Sequence, residues 1–124
     1  MKTVLLVEDD DDIREVVAEV LRDAGYDVRE AENGKVALEQ LEHLHGTPCL
    51  ILLDLMMPVM SGPQLLAVLR QSHQLASLPV VVLSAGGRPG DAPEAQQFVR
   101  KPVSPDVLLR IVRDFCPAPS HPGA

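Results

Sequence analysis

Five acids stand in a row at Glu8-Asp9-Asp10-Asp11-Asp12, and one further acid, Asp54, closes the apolar run Leu50-Ile51-Leu52-Leu53. A hydroxyl, Ser84, ends the run Val80-Val81-Val82-Leu83, and a base stands in Arg100-Lys101-Pro102. Carboxylates gathered with no base between them repel one another, so a fold that assembles them needs a compensating cation. A hard divalent ion with oxygen ligands does this economically, and Mg²⁺ is the natural choice because it binds through few carboxylates and keeps several waters. His43, His45, His73 and His121 share no spacing and fall on helix ends or near the C-terminus, so none reads as a metal ligand or phosphohistidine. Met56, Met57 and Met60 suit loop packing better than a cofactor cluster.

These groups need a scaffold that brings them together. The runs Val4-Leu5-Leu6-Val7, Leu50 to Leu53 and Val80 to Leu83 lack the alternation of a half-wet strand and read as parallel strands buried on both faces. Ile13, Val16, Val17, Val20 and Leu21 fall at i, i+3, i+4, i+7 and i+8, which predicts one apolar stripe on a helix ending near Gly25. A strand over Asp27 to Ala31 leads through Asn33-Gly34 into a helix carrying Ala37, Leu41 and Leu44, which closes before Gly46 and Pro48. A further helix begins near Pro63 with Leu65, Leu66 and Leu69 inward. Phe98, Val99 and Arg100 form a short fifth strand. The last helix has Ser104 as N-cap, Pro105 at its first position and Val107, Leu108, Ile111, Val112 and Phe115 inward. Alternating strands and helices predict an α/β fold with a doubly wound, five-stranded parallel sheet, whose ligands bind beyond the carboxyl ends of the strands. Glu8 to Asp12, Asp54, Ser84 and Lys101 then converge on one rim.

The chain has 124 residues, 46% hydrophobic and 23% charged, which fits one globular domain, placed at residues 1–116, with a flexible Pro-rich tail over 117–124. No apolar run is of membrane length, and Val4 to Val7 is too short for a signal-peptide core, so the expected location is the cytoplasm. A net charge of −7 argues against direct DNA binding. One Tyr, two Phe and no Trp leave little aromatic surface to stack a base or a flavin. Cys49 and Cys116 lie far apart and in no metal-binding pattern, so ordinary reduced core thiols are expected.

In order and position, Val4-Leu5-Leu6-Val7-Glu8-Asp9-Asp10, Leu53-Asp54-Leu55-Met56-Met57-Pro58, Leu83-Ser84-Ala85 and Lys101-Pro102 resemble the receiver domain of two-component response regulators. Each piece alone is weak; four in register are jointly specific. The resemblance implies a flavodoxin-like receiver fold of the single-domain type, phosphorylated on Asp54 by a histidine kinase or a histidine phosphotransfer protein. It implies Mg²⁺ bound directly by Asp9, through water by Glu8, and by Asp54 and the Met56 backbone carbonyl. Lys101 would pair with Asp54 and then with the phosphate, Ser84 would donate to a phosphoryl oxygen, and Phe98 would shift on activation. Such a domain is a phosphoacceptor that assists its own phosphotransfer and dephosphorylation rather than an enzyme, and it signals to a protein target by conformational change.

Three other readings compete. A receiver-fold interaction module that works without phosphate would lack the acceptor, metal or lysine position, and none is missing. A Mg²⁺-dependent phosphatase with an aspartyl nucleophile needs a second acid two residues on, where Met56 stands. A flavodoxin-like redox protein needs a hydroxyl- and glycine-rich phosphate loop after the first strand, where five acids would repel the phosphate. The chain departs from the family pattern between Ser84 and Lys101, a stretch that is several residues short. Gly86, Gly87, Pro89 and Gly90 oppose a helix there, since glycine costs about 1 kcal/mol and interior proline about 3. Only Asp91 to Gln97 remains competent, for one to two turns with Asp91 as N-cap and Ala92 and Ala95 inward, so the fourth helix is expected to be shortened or irregular.

Overall fold

The computed structural model describes residues 2–117 apart from His45, Pro58 and Glu94. Parallel strands β1 (Thr3–Val7), β2 (Asp27–Ala31), β3 (Leu50–Leu53), β4 (Val80–Ser84) and β5 (Gln97–Arg100) form one sheet in the order β2-β1-β3-β4-β5. The helices are α1 (Asp11–Asp23), α2 (Gly34–His43), α3 (Gly62–Gln71) and α4 (Pro105–Phe115).

The two faces of the sheet explain the continuous apolar runs. Leu5, Val7, Ile51, Leu53, Val80 and Val82 point into one buried cluster with Ala37, Leu65, Leu66 and Leu69 of α2 and α3. Val4, Leu6, Leu50, Leu52, Val81 and Leu83 point into the other, against Ala18 and Leu21 of α1 and Leu108, Ile111 and Val112 of α4. Adjacent residues of each central strand are therefore buried on opposite sides.

Each helix starts at a side-chain cap. Asp10 Oδ1 accepts from the Ile13 amide at 3.0 Å, Asn33 Oδ1 from Val36 at 2.9 Å and Ser104 Oγ from Val107 at 3.3 Å. Ser61 and Gln64 form a reciprocal capping box, so α3 begins at Gly62, one residue before the expected Pro63. Leu44, placed on the second helix by periodicity, lies just beyond its end.

Three expectations need correction. The thiols are not free: Cys49 and Cys116 form a disulfide across a sequence separation of 67, with their Cα atoms 5.6 Å apart. Cys49 precedes β3, and α4 runs back against the strand direction, so its last residues reach the same N-terminal edge of the sheet. The Tyr26 hydroxyl donates to the Cys116 carbonyl there at 2.6 Å. The α1 stripe is also only partly buried, with Ile13 39% and Val16 60% exposed, because Ala18 and Leu21 take the central contact with the sheet. Finally, the fourth helix is shortened, as expected, but further than the one to two turns expected: no α-helix occurs among the described residues between β4 and β5. A single 3₁₀ turn at Pro89–Asp91 ends on the first residue of the expected segment, and Gln97, its last, joins β5 instead. Asp91 does not cap a helix; its carboxylate accepts from the Arg88 amide at 2.8 Å and closes that turn. Ala92 is buried and Ala95 packs beside it, as expected. The tail reading lies outside the described residues from 118 onward. Among the described residues no helix is long and apolar enough to cross a membrane.

Candidate functional site

The carboxyl ends of β1, β3, β4 and β5 deliver Glu8, Asp54, Ser84 and Lys101 to one rim. Asp54 follows β3 directly, its amide bonded to the Val7 carbonyl at 3.0 Å, and is 8% exposed. Glu8 follows β1, is 4% exposed, and is held by its amide to Ala31 of β2 at 3.0 Å. The Lys101 amide bonds to the Ser84 carbonyl at 3.0 Å, which ties the base to the end of β4. The following Lys101–Pro102 peptide is cis.

The Lys101 ammonium bridges two acids. It donates to Glu8 Oε1 and lies 3.7 Å from Asp54 Oδ2. The resemblance implied Asp54 as its partner; here Glu8 is the closer one. Burial pushes the Glu8 carboxyl up to about 7 from its ordinary 4.5; the Lys101 hydrogen bond opposes the rise and neighbouring Asp54 adds to it.

Glu8, Asp9 and Asp54 each offer a carboxylate oxygen, and these oxygens lie within 4.8 Å of one another. Asp9 is exposed at the mouth while the other two are buried. One lysine does not neutralise this group, so the donor set fits a hard divalent cation such as Mg²⁺. The Met56 backbone is fixed beside the site, its amide donating to Asp54 Oδ1 at 3.3 Å, while its side chain points away and is 68% exposed. The Ser84 hydroxyl is fully buried and has no hydrogen-bond partner. A buried hydroxyl without a partner is costly unless an acceptor arrives. Phe98 is half-buried against the α2 and α3 cluster, with the Arg100 guanidinium 5.2 Å from its ring centroid.

Comparison with known proteins decides the family. The model of the response regulator receiver domain matches residues 4–113. This chain belongs to the response regulator receiver family. Response regulator Rre1 of Synechocystis sp. is 40% identical over 119 residues, spanning 91% of this receiver chain and 51% of that protein. An uncharacterised 14.6 kDa protein of Leptolyngbya boryana is 35% identical over 118 residues, spanning 91% of this chain and 88% of that one. The receiver thus spans about half the length of Rre1 but most of the second relative. Among solved structures, the chemotaxis response regulator CheY4 of Vibrio cholerae superposes with a TM-score of 0.82 at 31% identity, covering 93% of this chain and 98% of that one. The response regulator TrrA of Thermotoga maritima, in complex with Mg²⁺-BeF, gives a TM-score of 0.80 at 30% identity, covering 93% and 99%.

Three residues around the receiver site escaped the sequence reading. Arg14 of α1 donates to the Glu8 carbonyl at 2.8 Å. A Cβ on Gly62 would lie 2.7 Å from the Asp54 carbonyl oxygen and 2.8 Å from Leu55 Cα, so only glycine lets α3 start this close to the loop that follows Asp54. Val59 occupies the left-handed region at φ 69°, unfavourable for a β-branched residue. An isolated base four residues after Asp10 and a glycine eight residues after Asp54 were the available signals.

Proposed function

We propose that this receiver domain accepts a phosphoryl group on Asp54 from the phosphohistidine of a histidine kinase or of a histidine phosphotransfer protein. The setting of Asp54 carries the reading: a buried carboxylate at the central strand's end, 3.7 Å from the Lys101 ammonium, on the rim where the Ser84 hydroxyl is buried without a partner. An Asp54 oxygen attacks phosphorus as the phosphorus–nitrogen bond breaks, and the bonding pair leaves with the donor imidazole, which is then protonated. Lys101, held between Glu8 and Asp54, turns to a phosphoryl oxygen as a mobile point charge, and Ser84 donates its proton in a hydrogen bond to another. Glu8, Asp9, Asp54 and the Met56 carbonyl would hold Mg²⁺, which when bound neutralises charge on the phosphoryl oxygens in transfer.

The donor's approach is supported by an apolar cleft of about 490 Å³ walled by Ile13, Val16, Pro102, Val103 and Leu108, with Lys101 at its edge. It would receive an apolar helix face that presents a phosphohistidine to Asp54. No nucleic-acid contact is proposed, given the net charge of −7. The chain is a phosphoacceptor, not an enzyme that turns over a separate substrate, and its output is a changed surface read by a protein partner. Its proposed place of work is the cytoplasm, where thiols are normally kept reduced. Pairing of Cys49 with Cys116 would there follow the local oxidant level.

Incubation with acetyl phosphate and Mg²⁺ tests the assignment by intact mass, with a gain of about 80 Da for one phosphoryl group. Asp54→Asn should abolish the gain, and equal labelling of the variant would refute Asp54 as acceptor.

A further inference from the structure

We infer that Arg14 is a positioning residue for the acid cluster, an inference that rests on the proposed Mg²⁺-assisted phosphoacceptor site. Its guanidinium folds back from the first turn of α1 instead of pointing to solvent, and its side chain is only 16% exposed. Nη1 donates to the Glu8 backbone carbonyl at 2.8 Å, Nη2 meets Asp11 Oδ1 at 2.5 Å, and Nε lies 3.5 Å from Glu30 Oε1 on β2. One planar fork thus joins the end of β1, the start of α1 and the neighbouring strand, a task suited to arginine's five fixed donors.

The geometric consequence falls on the Glu8–Asp9 peptide. Its carbonyl is held by Arg14, and the preceding amide of Glu8 is held by Ala31. The Asp10 amide in turn donates to Glu8 Oε2 at 3.3 Å, so the buried carboxylate is braced from the same loop. With both ends of this short run tied, the backbone that carries the Glu8 and Asp9 side chains is set before any cation arrives. Groups that orient metal ligands without touching the metal typically change affinity by about 10- to 100-fold when removed.

Charge and positioning make opposite forecasts, which allows a clean test. Arg14→Met removes a positive charge from the neighbourhood of three carboxylates. If Arg14 acted only as a charge, its loss would tighten Mg²⁺ binding; if it positions the loop, its loss weakens binding by about tenfold. The chain has no Trp, so binding is read by NMR titration of the amides at residues 8, 9 and 54. Arg14→Lys keeps the charge but not the fork and should recover only part of the affinity. Arg22→Met is the control, because Arg22 also pairs with Glu30, at 3.1 Å, and with the Val28 carbonyl, at 2.9 Å, yet does not touch Glu8. It should lose stability without losing Mg²⁺ affinity. Equal or tighter Mg²⁺ binding by Arg14→Met, or full recovery by lysine, would overturn the positioning role while leaving the site intact. A parent protein that neither binds Mg²⁺ nor labels on Asp54 would instead overturn the reading of the site and Arg14's role with it.

Discussion

Glu8→Gln should stabilise the metal-free receiver domain above neutral pH, although it removes an acid from the candidate site. The buried Glu8 carboxyl loses its proton only near 7, against 4.5 for the same group in the unfolded chain. Below that lower value both states are protonated and Glu8 contributes no pH dependence. Between the two values the folded state holds the extra proton, so stability falls as pH rises, and above 7 the full cost is present. At about 1.4 kcal/mol per tenfold in proton affinity, the interval corresponds to about 3 kcal/mol. Glutamine carries no such penalty; the ionic contact with Lys101 that it gives up is already counted in the value near 7, and Lys101 retains Asp54 at 3.7 Å. The net gain expected at about pH 8 is therefore between about 1 and 3 kcal/mol, shrinking to nothing or reversing near pH 4. Urea unfolding in EDTA, followed by far-UV circular dichroism at both pH values, measures it; titration of the other acids cancels in the difference between variant and parent. Saturating Mg²⁺ should reverse the order at high pH, since binding stabilises the parent more. A glutamine variant that loses more stability at pH 8 than at pH 4 would refute burial as the dominant influence on Glu8.

Three further outcomes follow from backbone geometry and covalent structure. Gly62→Ala, which forces a Cβ against backbone atoms, should cost about 3 kcal/mol, whereas Gly34→Ala meets only the flexible Met60 side chain and should cost about 1; equal losses in thermal unfolding would contradict this. Val59→Asn relieves a left-handed backbone at a residue that is 75% exposed, and should raise the unfolding free energy by about 1 kcal/mol in a urea titration. Reduction of Cys49–Cys116 reopens a loop of 67 residues and should lower stability by about 4 kcal/mol, read as a shift of the urea midpoint on adding dithiothreitol.

The fold was legible in the sequence where burial is two-sided. Val4 to Val7, Leu50 to Leu53 and Val80 to Leu83 must be apolar at every position, because alternate side chains enter different clusters. The gathering of Glu8, Asp54, Ser84 and Lys101 followed from the same logic, since parallel strands place their carboxyl ends on one edge. What stayed hidden depends on contacts between distant residues. Periodicity cannot say that α1 leaves Val16 exposed, because that depends on how far α4 reaches over the sheet. Spacing cannot join Cys49 to Cys116, because only the return of α4 to the start of β3 brings them together. Arg14 was overlooked because a base following five acids looks like an ordinary helix-surface residue until its guanidinium is seen at the Glu8 carbonyl. A weakened helix between β4 and β5 was readable from its glycines and prolines, but its reduction, among the described residues, to the 3₁₀ turn at Pro89–Asp91 was not, because that turn depends on the Asp91 side chain reaching back to Arg88.

The disulfide divides the molecule mechanically. A pull applied to residues 2 and 117 passes through the Cys49–Cys116 bond and bypasses everything between. Only residues 2 to 48 can then be drawn out, about 160 Å at about 3.4 Å per residue, against about 390 Å for the reduced chain. Asp54, Ser84 and Lys101 all lie inside the shielded ring, while Glu8, Asp9 and Arg14 lie on the extensible arm. An oxidised molecule under load would therefore give up Glu8, Asp9 and Arg14 while Asp54, Ser84 and Lys101 stayed on one closed covalent circuit.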